Sequence, residues 1–120
     1  MSKLKDVSIV ITKGTTPTTV GGEFKESGIK FIKSESIYNS KFLDRKLFTF
    51  IDEETDIKLK RSRIKVNDLL FSIAGAYLGK IAVVEKQDIP ANTNQAVAIV
   101  RVDADKANFN YLYYYFLKKI

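Results

Sequence analysis

Cysteine and histidine are both missing from this sequence. The first absence excludes disulfides and thiolate metal sites; the second removes the commonest general base and the commonest metal ligand. No serine or threonine has an imidazole to activate it, which excludes a histidine-based hydrolytic triad. Long apolar runs are missing too. None approaches the roughly 20 residues that span a bilayer, and the N-terminal MSKLKDVSIV carries no signal-peptide cleavage pattern, so a cytoplasmic protein without membrane contact is expected. Gly21-Gly22 and Gly75 with Gly79 have neither dinucleotide nor P-loop spacing, and the acidic-Pro-Pro-aromatic motif of amino-methyltransferases does not occur. No cofactor is implied.

What is present is ordinary for a folded chain. Apolar residues at 45% and charged residues at 28% over 120 positions suit one domain, residues 1–120, with a core of its own. Twenty Lys and Arg against fourteen Asp and Glu leave a net charge of +6, a balance that suits an anionic partner such as nucleic acid. Part of this charge is concentrated in KLKRSRIK (58–65), where Lys58, Lys60, Arg61, Arg63 and Lys65 occur without an acid. Two readings fit the stripe: a phosphate-tracking surface, or an edge strand guarded by cations against aggregation.

Along the chain, VSIVIT (7–12) reads as a strand and KGTTPTTVGG (13–22) as a loop. GIKFIKSESI (28–37) begins as a strand, with Ile29 and Phe31 on one face, and then turns polar. KLFTFI (46–51) is a further strand candidate. In 57–66, Ile57 and Leu59 share one parity while Ile64 and Val66 share the other, which predicts a strand bent or bulged near Arg61 and Ser62. Asn67-Asp68 predicts a turn into LLFSIAGA. KIAVVE (80–85) and AVAIVRV (96–102) read as strands separated by a loop, KQDIPANTNQ. The period then changes. Phe109, Leu112, Tyr113, Phe116, Leu117 and Ile120 follow helical spacing, Asn108 or Asn110 is placed to cap the start, and Lys118 and Lys119 suit the end. Tyr111, Tyr114 and Tyr115 fall off this stripe, as a second packing surface or as rings lying flat with wet hydroxyls. The expected fold is α+β: a bent, mainly antiparallel β-domain closed by a C-terminal amphipathic helix. Sandwich-like packing fits the same strand lengths.

Polar clusters interrupt these strands. In FSIAGAYLGKIAVV (71–84), Gly75, Ala76 and Gly79 permit close backbone approach, Tyr77 has the reach for a sugar or base edge, and Lys80 suits a phosphate; equally, the glycines turn a hairpin. KGTTPTT offers Lys13, Thr15, Thr16 and Thr18 on a loop stiffened by Pro17. KSESIYNS offers Lys33, Ser34, Glu35, Ser36, Tyr38 and Asn39, and an acid such as Glu35 beside DNA suits acceptance from cytosine N4. In NTNQ, Asn92, Asn94 and Gln95 have side chains that pair with adenine or, more commonly, cap local turns. Asp44, Asp56 and Lys58 have the residue types of an acidic, acidic-x-Lys nuclease, but Glu23-Phe24-Lys25 shows the same spacing, and no supporting metal ligands accompany it.

LKDVSIVITKGTTPTT, GIKFIKSESI, LKRSRIKVNDLLFSIAGAYLGKIAVV, DIPANTNQAVAIVR and NYLYYYFL occur in that order. From about Leu4 to Leu117, these blocks together resemble the target recognition domain of the specificity subunit of type I restriction–modification enzymes. That family carries two such domains in tandem, separated by long helices, each reading one half of a split DNA site. The resemblance implies a non-catalytic component that binds double-stranded DNA and places a DNA methyltransferase subunit on an adenine, joined by a restriction (motor-nuclease) subunit. The 120 residues hold one such domain, without the spacer helix and second recognition domain, so a second copy or another specificity chain is a further expected partner. The resemblance puts base contacts in the most individual stretches, 34–48 and 54–63, and backbone contacts at the shared corners. The expected DNA-binding residues are Lys13, Thr15, Thr16, Lys33, Ser34, Glu35, Ser36, Tyr38, Lys58, Lys60, Arg61, Arg63, Tyr77 and Lys80. Asn67 stands where the family usually has glycine, and asparagine tolerates the positive φ such a position requires. Two other readings stay open: a protein-interaction module that binds a methyltransferase or specificity chain without reading DNA, and the small metal nuclease.

Overall fold

The computed structural model of the chain describes residues 8–37, 41–75 and 78–119. Among these, seven strands and two helices form: β1 (Ser8–Lys13), β2 (Ile29–Ile32), β3 (Thr49–Ile51), α1 (Glu53–Lys58), β4 (Leu69–Ser72), β5 (Ile81–Val83), β6 (Ala91–Thr93), β7 (Val97–Val102) and α2 (Phe109–Lys119). One sheet has the order β1-β7-β4-β5 and is antiparallel throughout. The other has the order β3-β2-β6, with β2 antiparallel to β3 and parallel to β6. The fold is α+β and mainly antiparallel, with a C-terminal helix, as the sequence predicts.

Strand alternation sorts the apolar residues into three layers of core. Leu69, Ile81, Val83 and Val100 pack under α2 against Leu112 and Tyr113, with Phe71, Phe109 and Phe116 at the margin. From the opposite face of the same strands, Leu70, Ala82, Val97 and Ile99 meet Ile32 and Ala91 of the second sheet in the central core. The far face of that second sheet, with Phe31 and Ile51, is covered by Leu59 and Val20. The two sheets therefore share a core in sandwich fashion. Each fully buried Leu or Ile here contributes roughly 1.5–3 kcal/mol.

Residues 57–66 do not form the expected strand. Asp52 Oδ1 accepts from Thr55 N at 2.8 Å and caps a helix. Glu53, Glu54 and Asp56 lie in the first turn of α1 and Lys58 in its last, which matches the helix dipole. A 3-10 turn, Lys60–Ser62, follows directly. The parity change is thus a helix running into a turn, which buries Leu59 and Ile64 and exposes Ile57 and Val66; the guarded edge strand falls with it. KLFTFI is a strand over Thr49–Ile51 alone, because Asp44 caps a 3-10 turn at Arg45–Leu47. Residues 91–93, expected in a loop, form β6 with all three side chains buried. Leu117, at the margin of the helical stripe, is half exposed, and Ile120 lies outside the described residues. Asn67 has φ 72°, the positive φ expected at that position.

Candidate nucleic-acid interface

Strand direction decides which loops become neighbours. β1 and β4 both run antiparallel to β7, with Lys13 opposite Ala98 and Ser72 opposite Val97, so both end where β7 begins. β6 enters β7 through a turn in which Val97 N donates to Asn94 O (3.2 Å) and Ala96 N to Asn94 Oδ1 (3.0 Å). β2 runs parallel to β6 with Ile32 opposite Thr93, so residues 33–36 emerge beside the same turn. Loops 13–16, 33–36 and 94–96 and the described residues of 73–80 thereby meet at one end of the molecule.

Three contacts bind this end together. Gly14 N donates to Asn94 O at 3.2 Å, and a Cβ on Gly14 would stand 1.9 Å from the carbonyl oxygen of Thr93; glycine is required by that approach. The Thr16 hydroxyl donates to Gln95 Oε1. Ile73 N donates to Ala96 O at 2.9 Å. Gly75 and Gly79 have φ 79° and 89°, so the glycine corner is a hairpin tip, with Gly79 N bonded to Ser72 O at 2.9 Å.

The residues named from the sequence divide accordingly. Lys13 and Lys80 are exposed, while Thr15, Thr16, Ser34 and Glu35 are partly exposed in the cluster. Lys33 lies 4.7 Å above the Phe24 ring and 4.0 Å from Glu35. Ser36 is a correction: it is buried, its Oγ lacks a hydrogen-bond partner, and a side chain under the loop cannot reach a duplex. Tyr38 and Tyr77 lie outside the described residues. Of NTNQ, Asn92 is wholly buried, Asn94 shapes the turn, and Gln95 is exposed beside Thr16.

The basic stripe is not one surface. Arg63 Nε donates to the buried Asp56 Oδ2 at 2.9 Å. Lys58 Nζ lies 3.6 Å from Glu54 and 3.4 Å from Val20 O. Lys60 and Arg61 are exposed on the 3-10 turn, without an ion pair among the described residues. That turn is held against β6 by Ser62 Oγ, 2.6 Å from Asn92 Oδ1. Asp56, the second acid of the nuclease reading, spends its oxygens on Asn92 Nδ2 (3.0 Å) and Arg63, which corrects its role to a structural one. Among the described residues no group of three or more acids is placed to hold a metal ion, and no helix is long and apolar enough to cross a membrane.

Sequence reasoning missed Gly14, and it gave Asn92 to base pairing or a local turn, whereas its side chain is buried between β6 and α1. The run Asp52-Glu53-Glu54-Thr55, a cap followed by an acidic first turn, was the signal for α1. Asn92 had no local signal, because its partners lie elsewhere in the chain.

Loops from two core-sharing sheets meet at one end of the molecule, and comparison with known proteins gives two likenesses. The chain is 36% identical over 77 residues to the type I restriction enzyme EcoBI specificity subunit of Escherichia coli, a match covering 64% of this chain and 16% of that protein. In structure it resembles the HsdS subunit from Thermoanaerobacter tengcongensis, with a TM-score of 0.68 and 16% identity over 96% of this chain and 26% of that one. The first likeness supports the family resemblance drawn from the sequence; the second shows the fold. The chain thus spans about a sixth to a quarter of the proteins it matches. No protein-family model matches it.

Proposed function

We propose that this chain is a non-catalytic DNA-reading module of a type I restriction–modification system, recognising one half of a bipartite target in double-stranded DNA. The convergence of loops 13–16, 33–36 and 94–96 with the described residues of 73–80 at one end carries this reading. Lys13, Lys33, Lys60, Arg61 and Lys80 hold phosphates, and Thr15, Thr16, Ser34 and Glu35 lie where a groove wall would pass. The module positions a DNA methyltransferase subunit, joined for restriction by a motor-nuclease subunit. A second copy or another specificity chain supplies the other half-site. Titration of duplex binding with salt tests the reading. The expected result is a steep fall in affinity, with a log–log slope of about −0.9 per phosphate contacted. Binding insensitive to salt, or absent at low salt, overturns it.

A second reading rests on the outer face of α2, where Tyr111, Tyr114 and Leu117 are exposed: a module that binds a methyltransferase or specificity chain without reading DNA. Co-purification with a methyltransferase subunit and no affinity for DNA would favour it.

A further inference from the structure

Phosphate and polar contacts leave the most apolar part of the loop end unused. Leu78 is 66% exposed and Ile73 42% exposed. Both belong to the hairpin tip between β4 and β5, whose backbone is pinned by Leu78 N to Gly75 O (3.3 Å), Gly79 N to Ser72 O (2.9 Å) and Ile73 N to Ala96 O (2.9 Å). Leu78 and Ile73 are thereby held in place with apolar surface open to water, and covering that surface would be favourable. Its neighbours indicate the occupant. The described residues of the loop end hold Lys13, Lys33 and Lys80 against one acid, Glu35, which lies 4.0 Å from Lys33. An apolar point set among cations complements a surface that is anionic outside and apolar within. A DNA duplex has phosphates flanking stacked bases.

Resting on the DNA reading above, we propose that Leu78 is an apolar wedge that enters between two base pairs, unstacks them in part and bends the duplex. A leucine offers no hydrogen bond to a base edge. What it gains from DNA is burial against base faces, and these open only when a step unstacks. Pyrimidine–purine steps such as TA and CA yield most easily, so the wedge selects sequence through deformability at a position where no base edge is read. Lys13 and Lys80 hold the backbone on either side, and their phosphate contacts offset the unstacking.

The test uses the whole chain and a duplex selected on it from a random-sequence pool at low salt. End-to-end energy transfer reports bending, and 2-aminopurine placed at successive steps reports unstacking. The wild type should bend the duplex and brighten one step. Leu78→Ala should abolish both signals and weaken binding about tenfold with the salt slope unchanged, while Leu78→Phe retains them; melting curves confirm that each variant folds. A straight duplex under the wild type, or bending unaltered in Leu78→Ala, overturns the wedge and leaves the DNA reading intact. Loss of affinity on thymine-to-uracil replacement, with no unstacked step, also overturns it and assigns Leu78 to a methyl group. A self-associating wild type whose Leu78→Ala variant is monomeric and still bends DNA overturns it in favour of a contact between copies. Failure of the wild type to bind any duplex at low salt sinks the DNA reading and the wedge with it.

Discussion

The side-chain amide of Asn92 is bonded to the carboxylate of Asp56, Nδ2 to Oδ1 at 3.0 Å, across 36 residues of chain. The same nitrogen donates to Leu59 O at 2.9 Å, and its Oδ1 lies 2.6 Å from Ser62 Oγ and 2.9 Å from Thr93 N. One buried amide therefore ties α1 and the turn bearing Lys60 and Arg61 to β6. Removing it with Asn92→Ala strands several buried groups at roughly 1–3 kcal/mol each. A loss of about 3 kcal/mol or more in urea unfolding is expected. Asn92→Asp should be worse at neutral pH, since it sets two carboxylates face to face. Burial beside a second carboxylate raises the introduced acid's pKa above its unfolded value, so the deficit should shrink as pH falls. A deficit that does not change with pH would contradict this geometry.

Arg101 grips Asp68 with two nitrogens, Nε at 2.9 Å and Nη2 at 2.8 Å, and Asp68 is buried. Arg101→Ala should cost about 3 kcal/mol, because it leaves a buried carboxylate without its charge partner. Arg101→Lys keeps the charge but loses the fork, so it should cost less than the alanine variant and more than nothing. Equal stability of all three proteins in chemical denaturation would disprove it.

Two glycines of the loop end should respond in opposite ways to alanine. At Gly14 the new Cβ meets backbone at 1.9 Å, so the 13–16 loop must part from the β6–β7 turn; DNA affinity and melting temperature should both fall. At Gly75 the Cβ finds open space and meets only the strain of φ +79°, about 1–2 kcal/mol, with the loop cluster retained. Thermal melting and duplex affinity of the two variants check the contrast.

Charge removal should separate the stripe into two kinds of residue. Lys60→Ala and Arg61→Ala should each lower the salt slope of duplex binding by about one, without altering stability. Lys58→Ala should lower it less, because Glu54 and Val20 O already share that ammonium. Arg63→Ala should destabilise the fold by freeing Asp56. Equal slopes for all four variants would contradict the division.

Acid should release the start of α1. The Thr55 hydroxyl and backbone N–H hold the Asp52 carboxyl below its ordinary value of 3.8. A group depressed in the folded state adds stability above its unfolded pKa and loses it as pH falls through the folded one. The melting-temperature advantage of wild type over Asp52→Ala should therefore be full above pH 4 or so and fade below it. An advantage that persists undiminished to pH 2 would assign the effect to something other than this cap.

Long elements were legible because their signals are local. The β-branched run before Lys13, the Ile29–Phe31 alternation, the apolar strands at 69–72, 81–83 and 97–102, and the helical stripe from Phe109 to Phe116 each carry their periodicity within a few residues. Residues 57–66 misled because two signals compete there. Their apolar parity imitates a bent strand, while the cap at Asp52 lies outside that window. β6 was missed because three residues are too few to show a period, and because Asn92 and Thr93 are polar residues whose burial depends on distant partners.

The sequence by itself determined which chemistries are closed to this protein, the excess of positive charge, the positions of the main strands and the C-terminal helix, and the turns at Asn67, Gly75 and Gly79. Those follow from side-chain type and from backbone freedom, which act within a residue or a turn. Only the tertiary structure decided which polar groups remain available to a partner. Arg63 and Arg61 are alike in sequence, yet one is spent on Asp56 and the other has no ion pair among the described residues; Ser34 and Ser36 differ by two positions, yet one is partly exposed and the other buried. Ion pairing and burial depend on distances through space that no pattern along the chain supplies, whether the partners are seven positions apart, as Arg63 and Asp56 are, or 36, as Asn92 and Asp56 are. The loop end is decided in the same way: β7 aligns the ends of β1 and β4 with its own start, and β6 enters it through the turn at 94–96.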